Sequence, residues 1–356
     1  MDSVKNIVCD FNNLYRAMTK CRKGVMWKDS VARYSNNGLA NILKLCNSLE
    51  DGSYEIDDYY EFTIYEPKER EIASNKFKDR VFQRSFCDNY LYPTLTKSFI
   101  YDNAACQIKK GTDMARDRLA HHMQEFFKKY GLCGFVLSMD IKKYFDSTPH
   151  TTAKKATRKN VKDGWAFEQV EKIIDSHSLE DNPGVGLGLG SQPNQLIQLT
   201  VPNDIDHYIK EKLQIKPYIR YMDDMILIHH DKEYLKECLE EIRIKFEKIG
   251  LKLNTKKTQI IPLRQGINFL GFKFKLTKTG KIIKILSKKN VKKRKRKIRK
   301  HKKLVDEGKM TREKADSCYE SWKAHAEKGN SYSLIQRMDI YYKKVMEGDV
   351  STCLKN

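Results

Sequence analysis

Asp223 and Asp224 stand side by side between two short apolar runs, Tyr218 to Tyr221 and Met225 to Ile228. Neither run can bury an unpaired carboxylate, because an isolated charge in an apolar interior is strongly disfavoured. The two acids must therefore occupy a turn, and the flanking runs are predicted to be the strands of a hairpin. Another acid, Asp140, ends the apolar run Phe135-Val136-Leu137-Ser138-Met139, also predicted to be a strand, and Asp146 follows shortly after. One acid at a strand end and a pair on a distant turn match what a two-metal phosphoryl-transfer centre needs. Two divalent ions about 4 Å apart require carboxylates from separate elements. Taken singly, Asp140 and Asp146 also suit helix caps, and Asp223 and Asp224 suit ordinary turn formers.

Two helices are legible from apolar spacing. One starts at Thr112 or Asp113, runs through Ala115, Leu119, Met123, Phe126 and Tyr130, and stops at Gly131. The other is capped by Asp231, carries Leu235, Cys238, Leu239, Ile242, Phe246 and Ile249 on one face, and stops at Gly250. Leu251 to Ile261 is rich in β-formers and is predicted to be a strand. Helices and strands alternate irregularly, which argues for α+β and against an all-helical or repeat architecture.

Lys and Arg number 68 against 46 Asp and Glu, a net charge of +22 that asks for a polyanionic partner. Nucleic acid is the leading candidate, since phosphate contacts release counterions. A membrane partner is not expected: no apolar stretch approaches the ~20 residues that span a bilayer, and no lipidation signal accompanies a basic amphipathic helix. The opening MDSVKNIVCDFNN lacks the pattern of a secretory leader. Nine cysteines are scattered with no C-x-x-C, as in a reduced cytoplasmic protein rather than one built on disulfides or zinc. Forty per cent hydrophobic residues exclude a wholly disordered chain.

The charge concentrates between residues 288 and 303, where twelve of sixteen residues are Lys or Arg and Val291 and Ile298 are the only large aliphatics. Such a stretch reads as a solvated helix or extended arm, with Lys292, Lys293, Arg294, Lys295, Arg296, Lys297, Arg299 and Lys300 as nucleic-acid contacts. A localisation run or a solubilising face is the plainer alternative. The apolar residues that follow predict a small helical C-terminal unit, with a boundary near residue 285.

Several segments resemble the motifs of reverse transcriptases, in the family's order. Asp140 through Asp146 looks like the first palm motif, and Tyr221-Met222-Asp223-Asp224 like the second. Gly184 to Gln192 resembles the glycine-rich motif, Gly250 to Asn254 with Lys257-Thr258 the motif after it, and Asn268-Phe269-Leu270-Gly271-Phe272 the primer grip. Pro67 to Arg70, Asp79 to Gln83 and Asn103 to Thr112 resemble fingers blocks of prokaryotic members.

The resemblance implies an α+β right-hand polymerase, with fingers at 1–130 and again at 150–190, a palm at 131–284 and a basic helical thumb at 285–356. It implies two Mg²⁺ ions, replaceable by Mn²⁺, held by Asp140 and Asp223 with Asp224 beside them and the Ile141 carbonyl completing one shell. Phe145 would be the aromatic gate that excludes a 2′-hydroxyl. Lys68 and Arg70 would hold the dNTP triphosphate, plain surface charge being the alternative. Lys257 would protonate the leaving pyrophosphate or simply contact a phosphate. Gly188 and Gly190 would let backbone approach the base pair, or else serve packing, and Gln192 would touch substrate or template. The thumb would follow a template–primer minor groove, with Trp322 and Tyr332 in its core rather than stacked on bases. The implied partners are dNTPs, a template RNA such as a structured noncoding RNA, and a DNA or protein primer, with an accessory protein or second copy of the chain beyond these.

The Ser191-Gln192 ending is similar to diversity-generating retroelement enzymes, although Leu187 stands where they keep glycine. Defence-associated reverse transcriptases, which copy a partner noncoding RNA against phage, are the alternative; a non-catalytic RNA-binding protein on a polymerase scaffold is a further one. Either enzyme would work in the cytoplasm of a bacterial or phage-infected cell. Nothing after residue 285 resembles a ribonuclease H domain, so template removal is expected to depend on other proteins or not to occur.

Overall fold

The computed structural model describes residues 3–65, 69–179 and 181–347. Four helices come first: α1 (Val4–Cys9), α2 (Phe11–Arg22), α3 (Asp29–Asn36) and α4 (Gly38–Glu50). The side chains of Ser3 and Asp10 accept the free N–H groups that open the first two. An antiparallel hairpin follows, β1 (Tyr60–Ile64) with β2 (Arg70–Ser74). Then α5 (Phe77–Phe86) passes through a π-turn into α6 (Tyr92–Thr96). Helix α7 (Thr112–Tyr130) has the limits its apolar spacing predicts, and Gly131 supplies the left-handed residue (φ 59°) that ends it.

Strand β3 (Phe135–Asp140) leads to α8 (Tyr144–Ser147), α9 (His150–Arg158), α10 (Gly164–Asp175), α11 (Gln192–Thr200) and α12 (Asn203–His207). The predicted acidic hairpin is β4 (Tyr218–Tyr221) with β5 (Asp224–His229), followed by α13 (Lys232–Lys248). Beyond lie β6 (Gln259–Pro262), β7 (Ile267–Phe269), β8 (Phe272–Leu276) and β9 (Ile282–Leu286). Three helices close the described chain, α14 (Lys288–Asp306), α15 (Arg312–Glu327) and α16 (Tyr332–Met346). The sheet orders are β1-β2, β4-β5-β3-β6 and β7-β8-β9. This is the expected α+β class. No described helix is long and apolar enough to cross a membrane.

One expected strand needs correcting. Residues 251–258 are not strand; only Leu253 makes an isolated bridge, to Ile141, and the strand is confined to β6. The backbone there folds into a turn instead, Lys257 and Thr258 both donating to the Asn254 carbonyl. The chain forms two compact units. One comprises residues 1–115, 138–227 and 233–259; the other comprises 116–137, 228–232 and 260–356. In the second unit β9 runs through residue 285 and pairs with β8, Phe272 opposite Leu286, and Asn330 donates to the Lys284 carbonyl at 2.8 Å.

Within the second unit α14 is more than a solvated arm. Ile298 is buried, and the Arg294 guanidinium lies over the Trp322 ring and donates to the Cys318 carbonyl at 2.9 Å. Arg294 is therefore occupied within the helical bundle, and Lys297 is half-buried, while Lys292, Lys293, Lys295, Arg296, Arg299 and Lys300 are exposed. Trp322 is core as expected, its indole N–H reaching Asn290. Tyr332 is not: it is 76% exposed.

Candidate active site

All the groups of this site belong to the first unit. Strand β4 and strand β5 are joined by a two-residue turn, Met222-Asp223, closed by the pair Tyr221 and Asp224. Only Met222 of the two has a positive φ, 54°, a conformation that such turns ordinarily give to glycine. Asp140, at the end of β3, is brought to this turn by backbone: the Ile141 N–H donates to the Asp223 carbonyl at 3.3 Å. The expected meeting of Asp140 with the Asp223–Asp224 turn is present.

The 251–258 loop wraps Asp140 from the other side. Asn254 donates its backbone N–H to the Asp140 carbonyl at 2.7 Å and its amide to the carboxylate at 3.1 Å. The Lys257 ammonium makes an ion pair with the other carboxylate oxygen. Partial burial works against that ammonium's charge, but the bond to Asp140 and the fields of Asp224 and Asp223 hold its pKa above the ordinary lysine value. Asp223 shifts up as well: burial disfavours its charge and neighbouring Asp140 repels it, against partial relief from Lys257 and Arg70. Arg70, on β2, is thus near enough for its field to be felt at the acids. Lys68 lies outside the described residues.

Asp146 takes no part in these hydrogen bonds or this ion pair. It is exposed on α8 and its field is felt at His177. Phe145, beside it, is half-buried, and its carbonyl accepts from the Leu187 N–H at 3.0 Å, tying the candidate gate to the glycine-rich loop. Tyr144 is buried and donates to the Gln198 carbonyl on α11, which fixes the peptide carrying Phe145. Gln192 opens α11, half-buried, after Ser191 caps it. The glycines answer the packing alternative. A Cβ on Gly190 would lie 3.0 Å from the Ala73 carbonyl of β2, and one on Gly188 would lie 3.3 Å from the His177 ring.

Sequence reasoning gave no role to Asn254, Asp206 or Arg220. Arg220 is fully buried three residues before Asp223, and its Nε and Nη2 grip both carboxylate oxygens of Asp206 on α12, at 2.6 to 2.9 Å. Asp206 also accepts the Tyr218 hydroxyl at 2.6 Å. The only advance signal was an arginine inside an apolar strand, which burial permits only with a partner.

The donors around Asp140 and Asp223 are carboxylate and carbonyl oxygens, the set that hard divalent ions such as Mg²⁺ and Mn²⁺ take. Among the described residues no three His, Cys, Asp or Glu side chains converge as a ready-made metal cluster. The Lys257 ammonium pairs with Asp140, and the fields of Lys257 and Arg70 both reach Asp223.

Acids at a strand end and on a hairpin turn are an arrangement that suits the palm of a nucleotide polymerase. Residues 68–274, more than half of the 356-residue chain, match the family model described as reverse transcriptase (RNA-dependent DNA polymerase). The chain belongs to the reverse transcriptase family, whose members are nucleotidyltransferases. Its fold, a right-hand polymerase, is similar to that of apo telomerase from Candida tropicalis (14% identity, TM-score 0.51, 65% of this chain and 49% of that one). It is also similar to telomerase from Candida albicans in complex with a TWJ fragment of telomeric RNA (12% identity, TM-score 0.50, 75% of this chain and 55% of that one). The chain spans about half the length of those two structures. No curated protein sequence matches it.

Proposed function

We propose that this protein copies an RNA template into DNA by two-metal nucleotidyl transfer. The observation that carries the reading is the meeting of Asp140 with the Asp223–Asp224 turn around one cationic side chain. When bound, two divalent ions sharpen the attacking 3′-hydroxyl and neutralise charge on the triphosphate. Asp140, Asp223, Asp224 and the Ile141 carbonyl would hold them. Arg70, with Lys68, binds the triphosphate. Lys257, kept protonated by the acids, gives a proton to the leaving pyrophosphate oxygen as it moves off Asp140. Primed RNA, dNTPs and Mg²⁺ with the purified chain should yield labelled DNA whose sequence copies the template. Tight, salt-sensitive RNA binding with no incorporation under Mg²⁺ or Mn²⁺ would instead make it a binding scaffold.

The Phe145 ring selects the sugar by standing under it. Phe145→Ala is expected to lower discrimination against ribonucleotides by about 10- to 100-fold, the scale of a lost steric contact. Competition between dNTP and rNTP checks this, and unchanged selectivity would place the gate elsewhere.

The exposed cations of α14 bind the phosphates of template and primer. Replacing Lys293, Arg296, Lys300 and Lys303 by Gln should flatten the salt dependence of RNA affinity, by up to about 0.7 in log–log slope per lost contact. Turnover of bound complexes should change little. An unaltered slope would assign the run to solubility.

For biological setting, Ser191-Gln192 supports a diversity-generating retroelement, acting in the cytoplasm of a bacterium. Leu187, in place of that class's glycine, favours the defence reading, in which a partner noncoding RNA is copied during infection. Sequencing nucleic acid that co-purifies decides: substitutions at template adenines support the first, repetitive or noncoding-RNA copies the second. The same preparation reveals any accessory protein or second copy of the chain.

A further inference from the structure

Arg220 is among the largest fully buried side chains of the described residues, and a neutral hydrophobe would fill such a place at lower cost. Asp206 neutralises it but does not explain it. Its guanidinium makes two further bonds, from Nη2 to the Leu199 carbonyl at 3.1 Å and from Nη1 to the Met222 carbonyl at 3.3 Å. The latter lands on the turn that carries Asp223. Met222 is the residue held at φ 54°, where a non-glycine side chain is strained and persists only if its surroundings over-determine it.

The backbone of Arg220 is pinned on both sides. Its N–H donates to the Asp102 carbonyl and its carbonyl accepts from Ala104, each at 3.0 Å. The fork therefore stands on a fixed base, is aimed by Asp206 on α12, and reaches the one peptide whose orientation sets where Asp223 points. Past that peptide, the Asp223 carbonyl is itself held by the Ile141 N–H.

We propose that Arg220 is a positioning residue, whose guanidinium, aimed by Asp206, holds the Met222 peptide so that the Asp223–Asp224 turn presents its carboxylates to divalent metal. The inference rests on the polymerase reading of those acids. A lysine at 220 would keep the charge opposite Asp206 but lacks the second arm that reaches Met222. A charge-free pair, Arg220→Met with Asp206→Leu, also removes that arm while leaving no buried charge.

The test is an Mn²⁺ titration of the full chain with dNTP and primed RNA whose primer end is blocked, following the electron paramagnetic resonance signal of free Mn²⁺. It is run beside the Mg²⁺ dependence of incorporation on an unblocked primer. Both Arg220→Lys and the charge-free pair are expected to weaken Mn²⁺ binding and raise the Mg²⁺ requirement by about 10- to 100-fold, the usual effect of losing a group that orients a ligand. RNA affinity should stay at the parent value.

Restoration of full Mn²⁺ affinity by lysine would mean the charge alone matters and would overturn the proposal. So would parent-like metal binding in the folded charge-free pair. Failure of both variants to fold assigns Arg220 to stability and overturns it equally. If the parent chain itself neither takes up Mn²⁺ nor incorporates nucleotide, the polymerase reading fails and this inference with it.

Discussion

Asp223→Asn is expected to abolish nucleotide incorporation, by roughly a thousandfold or more, about 4 kcal/mol at the transition state. The substitution keeps the shape of the side chain and removes only its charge, so the two-residue turn between β4 and β5 remains. The lost charge is the one that sits among Asp140, Lys257 and Arg70. With it gone, a divalent ion at Asp140 would face one fewer anionic oxygen and a larger net repulsion from both cations. RNA affinity should not change, because the phosphate contacts assigned to α14 are untouched. Single-turnover extension of a labelled primer measures the loss, and filter binding measures the affinity. Activity equal to the parent would remove the catalytic assignment of all three acids, since they would hold the ions together.

Asp206→Ala should produce the largest loss of stability, about 3–5 kcal/mol, because it strands the Arg220 guanidinium in the interior without a counter-charge. Both side chains are 0% exposed, so water cannot take the carboxylate's place without opening the core. Burial alone would push the arginine's pKa down; Asp206 more than reverses this and holds it above its ordinary value. A loss of that size is a large share of the 5–15 kcal/mol typical of folded domains. It appears as a lower urea midpoint. Substituting both partners, Asp206→Leu with Arg220→Met, should recover most of the loss, short of what the Tyr218 hydroxyl forfeits with its acceptor. A cost for Asp206→Ala within the ~0.5 kcal/mol of an ordinary surface change would show the pair is not the buried unit described.

What sequence made legible here was whatever repeats at a helix or strand period or sits in an obligatory turn. Helices α7 and α13, strands β3 to β5 and the acidic turn all have that property. The meeting of Asp140 with Asp223 followed from chemistry, since three acids at apolar strand ends need a common reason. Residues 251–258 were misjudged because β-forming side chains are equally at home in a loop whose N–H groups are satisfied elsewhere. Here the Asn254 carbonyl takes two of them, and Asn254 itself attends Asp140. Asp206 and Arg220 were invisible as a pair because nothing local ties α12 to β4. Arg294 counted as one more cation in a basic run, and only the position of Trp322 on α15 shows that it packs inward. The same blindness assigned Tyr332 to the core, since aromatic content alone does not say which side of a helix meets its neighbours.

The ribbon of β1 and β2 has just two strands, and ribbons of that width barely hold their shape unaided. Gly190, at φ 122°, lets its loop lie close against the Ala73 carbonyl, where an added Cβ would sit at 3.0 Å and force its neighbour to give. The absent methyl group permits that close approach of ribbon and loop. Ala73 lies three residues from Arg70 on the same strand, so a side chain at residue 190 would press on the ribbon that carries the arginine.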